Sequence, residues 1–273
     1  MNNPTELLRS RYGEIPFNYE IEWNDSLEIL LSHRSVRSYL SDPLPEGTLE
    51  WLVAAAQSAA SSANMQTWSV VAVEDQERKA ELCKLANNQA QVNQAPVFLV
   101  WLADLGRLAH IADSRGLPHV ALDYIELLVK AIVDASVAAQ NAAVAAESIG
   151  LGTVYIGALR KSTQEVATLL NLPPFIFPIF GMCVGYPNPE VEVAIKPRLP
   201  QPAVLHRESY KLAEQDEAIA RYNDIMKEFY TEQKMNVNVD WSEHSAQRVA
   251  TLDYLKGCKY LRETLNNFGF KLL

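Results

Sequence analysis

Apolar positions recur along this chain in two rhythms, and the switches between them lay out its elements. In SLEILLSHRS (26–35), Leu27, Leu30 and Leu31 fall on one face at helical spacing behind a capping Ser26, which predicts a first helix. The turn SDPLPEG (41–47) separates it from a second helix, TLEWLVAAAQSA (48–59). A strand is expected at SVVAVED (69–75), a helix at ERKAELCKLAN (77–87) and a strand at PVFLVWLAD (96–104). A long Ala-rich helix is expected within ELLVKAIVDASVAAQNAAVAAESIGLG (126–152), with Gly150 or Gly152 as its stop. Beyond it lie a strand TVYIG (153–157), a short helix STQEVATLLN (162–171) and a strand FPIFGMCVGY (177–186). The unbroken apolar runs PVFLVWLA and FPIFGMCV read as central strands covered on both faces. From about Glu208 the pattern is helical and more polar, whereas residues 1–25 form a polar, weakly patterned lead-in. Helices outweigh strands without strict alternation, so the expected fold class is α+β around one sheet.

Composition narrows the partners. The chain has 273 residues, 48 % of them hydrophobic and 21 % charged, with a net charge of −9. An acidic molecule of this kind repels nucleic acid and anionic membranes, so neither is expected as a general partner. Cys83, Cys183 and Cys258 form no CxxC pair and no disulfide framework, which favours a reducing compartment. MNNPTELLRSRYGEIPF (1–17) lacks the apolar stretch of a secretory signal, and cytoplasm is the expectation. Lys130, Asp134, Gln140, Asn141 and Glu147 interrupt the Ala-rich helix, which therefore reads as a buried core helix and not a membrane span.

Against this acidic background SHRSVRS (32–38) is a cationic, hydroxyl-rich knot without a carboxylate. Two readings compete. In one, His33, Arg34 and Arg37 are basic residues complementing the negative end of a helix dipole. Alternatively they form an anion pocket, in which guanidinium groups make paired bonds to phosphate and serine hydroxyls add neutral donors. IKPRLP (195–200) favours the second reading. Its prolines stiffen an extended segment in which Lys196 and Arg198 alternate onto one side. Two further segments carry candidate chemistry: AASSANMQTW (59–68), rich in small and hydroxyl residues, and GLGTVYIGALR (150–160), where Gly157 permits close backbone approach to a flat ligand. The latter is no GxGxxG fingerprint. His33, His110, His119, His206 and His244 show no metal spacing, and neither a P-loop, a GxSxG elbow nor an HExxH motif occurs.

HRSVRSY, SSANMQ, VYIGALR and KPRLP, in this order and at these separations, resemble the FMN-dependent nitroreductase superfamily, and within it the NAD(P)H-dependent oxygen-insensitive nitroreductase and flavin reductase group. The similarity starts near Ser26 and includes NNQAQV (87–92), the Ala-rich helix and WSEH (241–244). It implies a nitroreductase-like α+β fold, with a mostly antiparallel central sheet flanked by helices. It also implies an intertwined homodimer that holds FMN at the subunit interface. The corresponding division of the chain is an N-terminal extension (1–25), an FMN-binding core (26–205) and a helical C-terminal region (206–273) packing on the core and the partner.

Carried over by position, the FMN-binding residues are His33, Arg34, Ser35, Arg37, Ser61, Ser62, Ala63, Gln66, Gln89, Tyr155, Ile156, Gly157, Ala158, Lys196 and Arg198. On the family's pattern the serine run comes from the partner subunit and Gln89 lies beside the isoalloxazine. The Gly157 amide faces N5, and Lys196 or Arg37 supplies charge near N1. No catalytic residue is implied beyond the flavin, because hydride transfer needs orientation and not a protein acid or base. The implied activity is ping-pong transfer from NADPH or NADH to a nitroaromatic, quinone or free flavin, that is, a small aromatic acceptor. Other readings stay open: a flavin-binding sensor or carrier without turnover, or a related reductase acting on azo, chromate, disulfide or halogenated acceptors. Ala63 and Ala158 depart from the family's serine and glycine. EQKMNVNVDW (232–241) is poor in the basic residues that hold the 2′-phosphate of NADPH, which implies weakened NADPH preference.

Overall fold

The computed structural model describes residues 3–16 and 22–273. In chain order its main elements are α1 (Pro4–Tyr12), α2 (Asp25–Ser32), α3 (Thr48–Gln57), β1 (Trp68–Val73), α4 (Gln76–Leu85), α5 (Gln91–Gln94), β2 (Val97–Asp104), α6 (Gly106–Ser114), α7 (Ile125–Ser148), β3 (Gly152–Ile156), α8 (Thr163–Leu169), β4 (Ile176–Gly185), α9 (Asp216–Glu232), α10 (Trp241–Ala250) and α11 (Leu261–Asn267). They belong to two compact units. One comprises the described residues up to Arg34 with Glu192–Tyr254, and the other Ser35–Val191 with Leu255–Leu273.

The larger unit is built on an antiparallel sheet in the order β1-β2-β4-β3. The continuous apolar runs mark its two inner strands, and every residue of β2 is buried. On one face the α7 alanines Ala138, Ala139, Ala142, Ala143 and Ala146 pack with Leu52 and Ala56 of α3 against Leu99 and Trp101. Methyl-sized side chains let these helices approach the strands closely. On the other face Phe98, Val100 and Leu102 pack with Leu82 of α4, with Val166 of α8 and with Leu159 of the turn between β3 and α8. By length and composition α7 could cross a membrane, but its alanine stripe is spent on this core. Gly150, at φ 81°, ends that helix, and Gly152 already belongs to β3.

The smaller unit centres on α9, whose Tyr222, Met226 and Phe229 form a buried cluster backed by Leu199 and Trp241. Two expectations need correction here. The first helix begins at Asp25 with Asn24 as its cap, because the Asn24 side chain accepts the Leu27 amide at 3.1 Å. It ends at Ser32, so His33, Arg34 and Ser35 lie beyond it. The lead-in also holds a helix, α1, capped by Asn3, with Pro4 in its first turn and Gly13 at φ 75° after its end. In the larger unit α6, absent from the pattern reading, starts directly after β2, where the Asp104 carboxylate accepts the Arg107 amide at 3.1 Å.

Candidate functional site

The cationic knot is locked by its neutral residues. Val36, 3 % exposed, donates its amide to the Thr153 carbonyl at 2.9 Å, while Ser35 bridges Thr153 at the edge of β3. A Cβ on Gly152 would lie 2.5 Å from the Val36 side chain, so glycine is required for this docking. Tyr39, also buried, donates its hydroxyl to the Val36 carbonyl at 2.8 Å. Burial drives the Tyr39 hydroxyl well above its ordinary range, with Cys183 adding to the shift and Arg37 opposing it. Arg34 and Arg37, on either side of the buried Val36, remain exposed.

The serine run is held from below. Asp134 of α7, 2 % exposed, accepts the Ser61 hydroxyl and the Ser62 amide at 2.9 Å each, and the Thr67 hydroxyl at 3.1 Å. The Ser61 oxygen also accepts the Gln66 amide at 3.0 Å. Its one proton is therefore committed within the protein. Arg107 closes the other end, donating to the Gln66 carbonyl at 2.7 Å and to the Ser69 hydroxyl at 2.8 Å. Between these clamps Ala63, Asn64 and Gln66 adopt φ values of 51°, 54° and 51°. Left-handed backbone at non-glycine residues costs on the order of 1 kcal/mol each and persists where surrounding bonds impose it. The segment is a preformed cradle.

At the end of β3, Tyr155 is half-exposed against Phe180, whereas Ile156 is 1 % exposed and its side chain belongs to the core. Only its backbone faces outward chemistry. The strand ends there, and Gly157 and Ala158 open a 3₁₀ turn, Gly157–Ser162. Within that turn Arg160 donates to the Ile179 carbonyl at 2.7 Å, and its guanidinium lies 3.2 Å from where a Gly157 Cβ would sit. Gln89 is partly buried: its amide donates to the Ala86 carbonyl at 3.1 Å and accepts from Gln91 at 2.9 Å.

In the smaller unit, Lys196 and Arg198 flank a buried Pro197, as alternation in an extended segment requires. Tyr222 donates to the Pro197 carbonyl at 2.9 Å, and the Lys196 ammonium lies 6.0 Å from the centre of the Phe229 ring. Burial raises the Tyr222 hydroxyl above its ordinary range, against the opposing charge of Arg198. Arg11 of α1 is 7 % exposed and donates to the carbonyls of Lys196, Leu31 and His33 at 2.9, 3.0 and 2.8 Å. Arg11, Asp134, Arg107 and Arg160 are the residues that the pattern reading missed. Two of them carried signals: Asp134 is a carboxylate midway along an apolar helix, and Arg160 closes VYIGALR.

The nitroreductase family model matches residues 30–186, and the model of the family's C-terminal domain matches 196–273. The chain belongs to the nitroreductase family. Among curated relatives, an FMN reductase (NAD(P)H) of Bacillus subtilis (strain 168) is 39 % identical over 255 residues, covering 91 % of this chain and 99 % of that protein. A CR(VI) reductase of Pseudomonas sp. (strain G-1) is 39 % identical over 220 residues, covering 80 % and 89 %. The solved structure of the hypothetical oxidoreductase YcnD from Bacillus subtilis superposes with a TM-score of 0.86 at 37 % identity, covering 92 % of this chain and 99 % of that one. The fold is the nitroreductase fold.

Proposed function

We propose that this nitroreductase-family chain is an FMN-dependent oxidoreductase that draws on NAD(P)H and reduces small acceptors such as nitroaromatics, quinones or free flavins. The observation that carries it is a repeated device. Arg34 and Arg37 flank the buried Val36, and Lys196 and Arg198 flank the buried Pro197, so each pair of exposed cations stands on either side of a buried anchor. Such a donor set fits an organic phosphate, which guanidinium groups bind through paired hydrogen bonds. FMN fits further because it adds a planar ring that the glycine-containing 156–158 backbone can approach. Bound there, the flavin supplies the redox chemistry, taking reducing equivalents from the nicotinamide and passing them on.

The protein's own task is binding and orientation. His33, Arg34, Ser35, Arg37, Lys196 and Arg198 hold the phosphate end, and positive charge from Lys196 or Arg37 favours the electron-rich ring. Ser62, Ala63 and Gln66 line the cradle; Ser61, its proton given to Asp134, shapes that cradle more than it donates to a ligand. Gln89, Tyr155, Ile156, Gly157 and Ala158 approach the ring. Chromate joins the acceptor class on the strength of the Pseudomonas relative's name.

The working unit is a homodimer. Its face is the exposed stripe Ile125, Val129, Val133 and Val137 along α7, a spacing that sheds water on pairing. Val133→Glu combined with Val137→Glu shifts the particle mass from dimer to monomer in light scattering; a monomeric wild type would refute this face.

Anaerobic addition of NADPH or NADH to the FMN-loaded protein bleaches the visible flavin band. A protein that takes up no FMN, or whose bound flavin never bleaches, rejects the proposal, the latter in favour of a carrier. Arg37→Ala and Lys196→Ala each weaken FMN binding more than riboflavin binding, because riboflavin lacks the phosphate.

A further inference from the structure

We propose that Arg11, on a helix outside the family match, is a positioning residue for the phosphate-binding cations. The inference rests on the reading above, in which His33, Arg34, Lys196 and Arg198 serve the FMN phosphate. A helix such as α2 ends with backbone carbonyls that have no partner of their own, and basic residues near its end can satisfy them. His33 and Arg34 stand next in the chain and are the obvious candidates for that duty. Instead the Arg11 guanidinium takes the Leu31 and His33 carbonyls, at 3.0 and 2.8 Å. Because the helix end is satisfied from α1, the cations that follow it are not required as its caps.

The same guanidinium reaches the second cationic segment. Its other terminal nitrogen donates to the Lys196 carbonyl at 2.9 Å, and the Arg11 carbonyl accepts the Arg198 amide at 2.8 Å. One buried residue thus holds the backbone on both sides of Pro197 and the backbone leading into the knot. The planar fork sets one terminal nitrogen against Lys196 and the other against Leu31 and His33; the three donors of a lysine ammonium radiate from one nitrogen and do not reproduce that span. The helix that carries Arg11 is itself anchored on α9. Gly13 lies so close to Ile225 that a Cβ would sit 2.8 Å from it, and Glu14 pairs with Arg221. The N-terminal helix therefore sets the geometry of a pocket to which it donates no ligand.

The test compares FMN with riboflavin. Arg11→Met in the full-length protein weakens FMN affinity about tenfold, as expected for loss of a supporting contact, and leaves riboflavin affinity unchanged. Fluorescence titration of the flavin-free protein reads both, with no dependence on turnover. Arg11→Lys keeps the charge and is used if the methionine variant fails to fold; it gives the same selective loss. Equal weakening of both flavins, or wild-type FMN affinity in Arg11→Lys, overturns the proposal. Lys196→Ala and Arg198→Ala serve as controls. If they also leave FMN affinity unchanged, it is the phosphate assignment itself that falls, and the role of Arg11 with it.

Discussion

The two cationic segments share one design but are held by different means. In 34–37 the buried anchor is part of a sheet edge: Ser35 bridges β3, the Val36 amide donates to Thr153, and Tyr39 pairs with Pro187 further on. In 196–198 the anchor is a proline without an amide proton, so a strand ladder cannot hold it. Side chains do most of the work instead, from Tyr222 below and Arg11 beside, with one backbone bond from the Arg198 amide to the Arg11 carbonyl. Backbone pairing spreads the constraint over separate bonds, from the Val36 amide to Thr153, the Leu40 amide to Tyr186 and the Asn188 amide to Ser38, whereas side-chain staples concentrate it in one or two residues. The first segment should therefore resist single substitutions that the second does not tolerate, except where backbone contact is itself at stake.

The exception gives the largest expected effect. Gly152→Val places branched carbons where Val36 already sits 2.5 Å from an ideal Cβ, and overpacking of this kind costs about 3 kcal/mol. Urea denaturation reads the loss, and FMN affinity falls with it as the knot leaves β3. A well-folded variant with normal affinity would show that the edge docking is dispensable. Next come two matched substitutions. Tyr39→Phe removes a hydroxyl from the Val36 carbonyl, and Tyr222→Phe removes one from the Pro197 carbonyl. Each costs about 1 kcal/mol of stability. Only Tyr222→Phe weakens FMN binding, because the Val36 amide keeps its bond to the Thr153 carbonyl. Equal effects on binding would break the contrast.

Alkaline pH tests the same anchors from the side of stability, where they should behave alike. Burial raises both hydroxyls above the ordinary value of 10.0, so the folded protein keeps protons that the unfolded chain loses first. Stability from these groups is fully present below about pH 10 and is lost as pH rises through the folded values, by about 1.4 kcal/mol per pH unit for each tyrosine. Either Phe variant shows a correspondingly shallower decline in urea midpoints above pH 10. An unchanged slope would mean that the hydroxyl in question ionises normally.

What the sequence disclosed follows the same division between ladders and staples. The continuous apolar runs of β2 and β4 announced inner strands, and alternation around Pro197 announced two outward cations, because periodicity reports burial directly. The staples are long-range and leave little local trace. Asp134 reads as a polar flaw in an apolar helix until the serine loop is seen folded onto it. Ser61 reads as a ligand donor, and only the 2.9 Å bond to Asp134 shows where its proton goes. The α1 helix was legible from its Asn3, Pro4 and Gly13 punctuation, but Leu7 and Arg11 are its only buried residues among those described, too few to make an apolar stripe. A buried arginine is the opposite of what a hydrophobic pattern looks for.

The smallest expected effect concerns a third segment, 233–240, which is also secured by side chains. Asn223 of α9 accepts the Ser242 amide at 3.0 Å, and Asp240 caps α10 by accepting the Glu243 amide at 2.8 Å. The Glu243 amide, together with the Ser242 hydroxyl at 2.8 Å, holds the Asp240 carboxyl below its usual range. Beside this segment is a cavity of about 440 Å³ whose lining includes Asp224, Lys227 and Asp240. Two carboxylates against one ammonium are a poor seat for an added phosphate. If this cavity receives the adenosine end of the nicotinamide, kcat/KM for NADH and NADPH should lie within about tenfold of each other, a difference of roughly 1.4 kcal/mol. Asp224→Ser then raises the NADPH value a few-fold, with little change for NADH, which has no 2′-phosphate to repel. A large NADPH preference in the wild type would instead place the 2′-phosphate away from Asp224 and Asp240, and would remove this segment from the comparison.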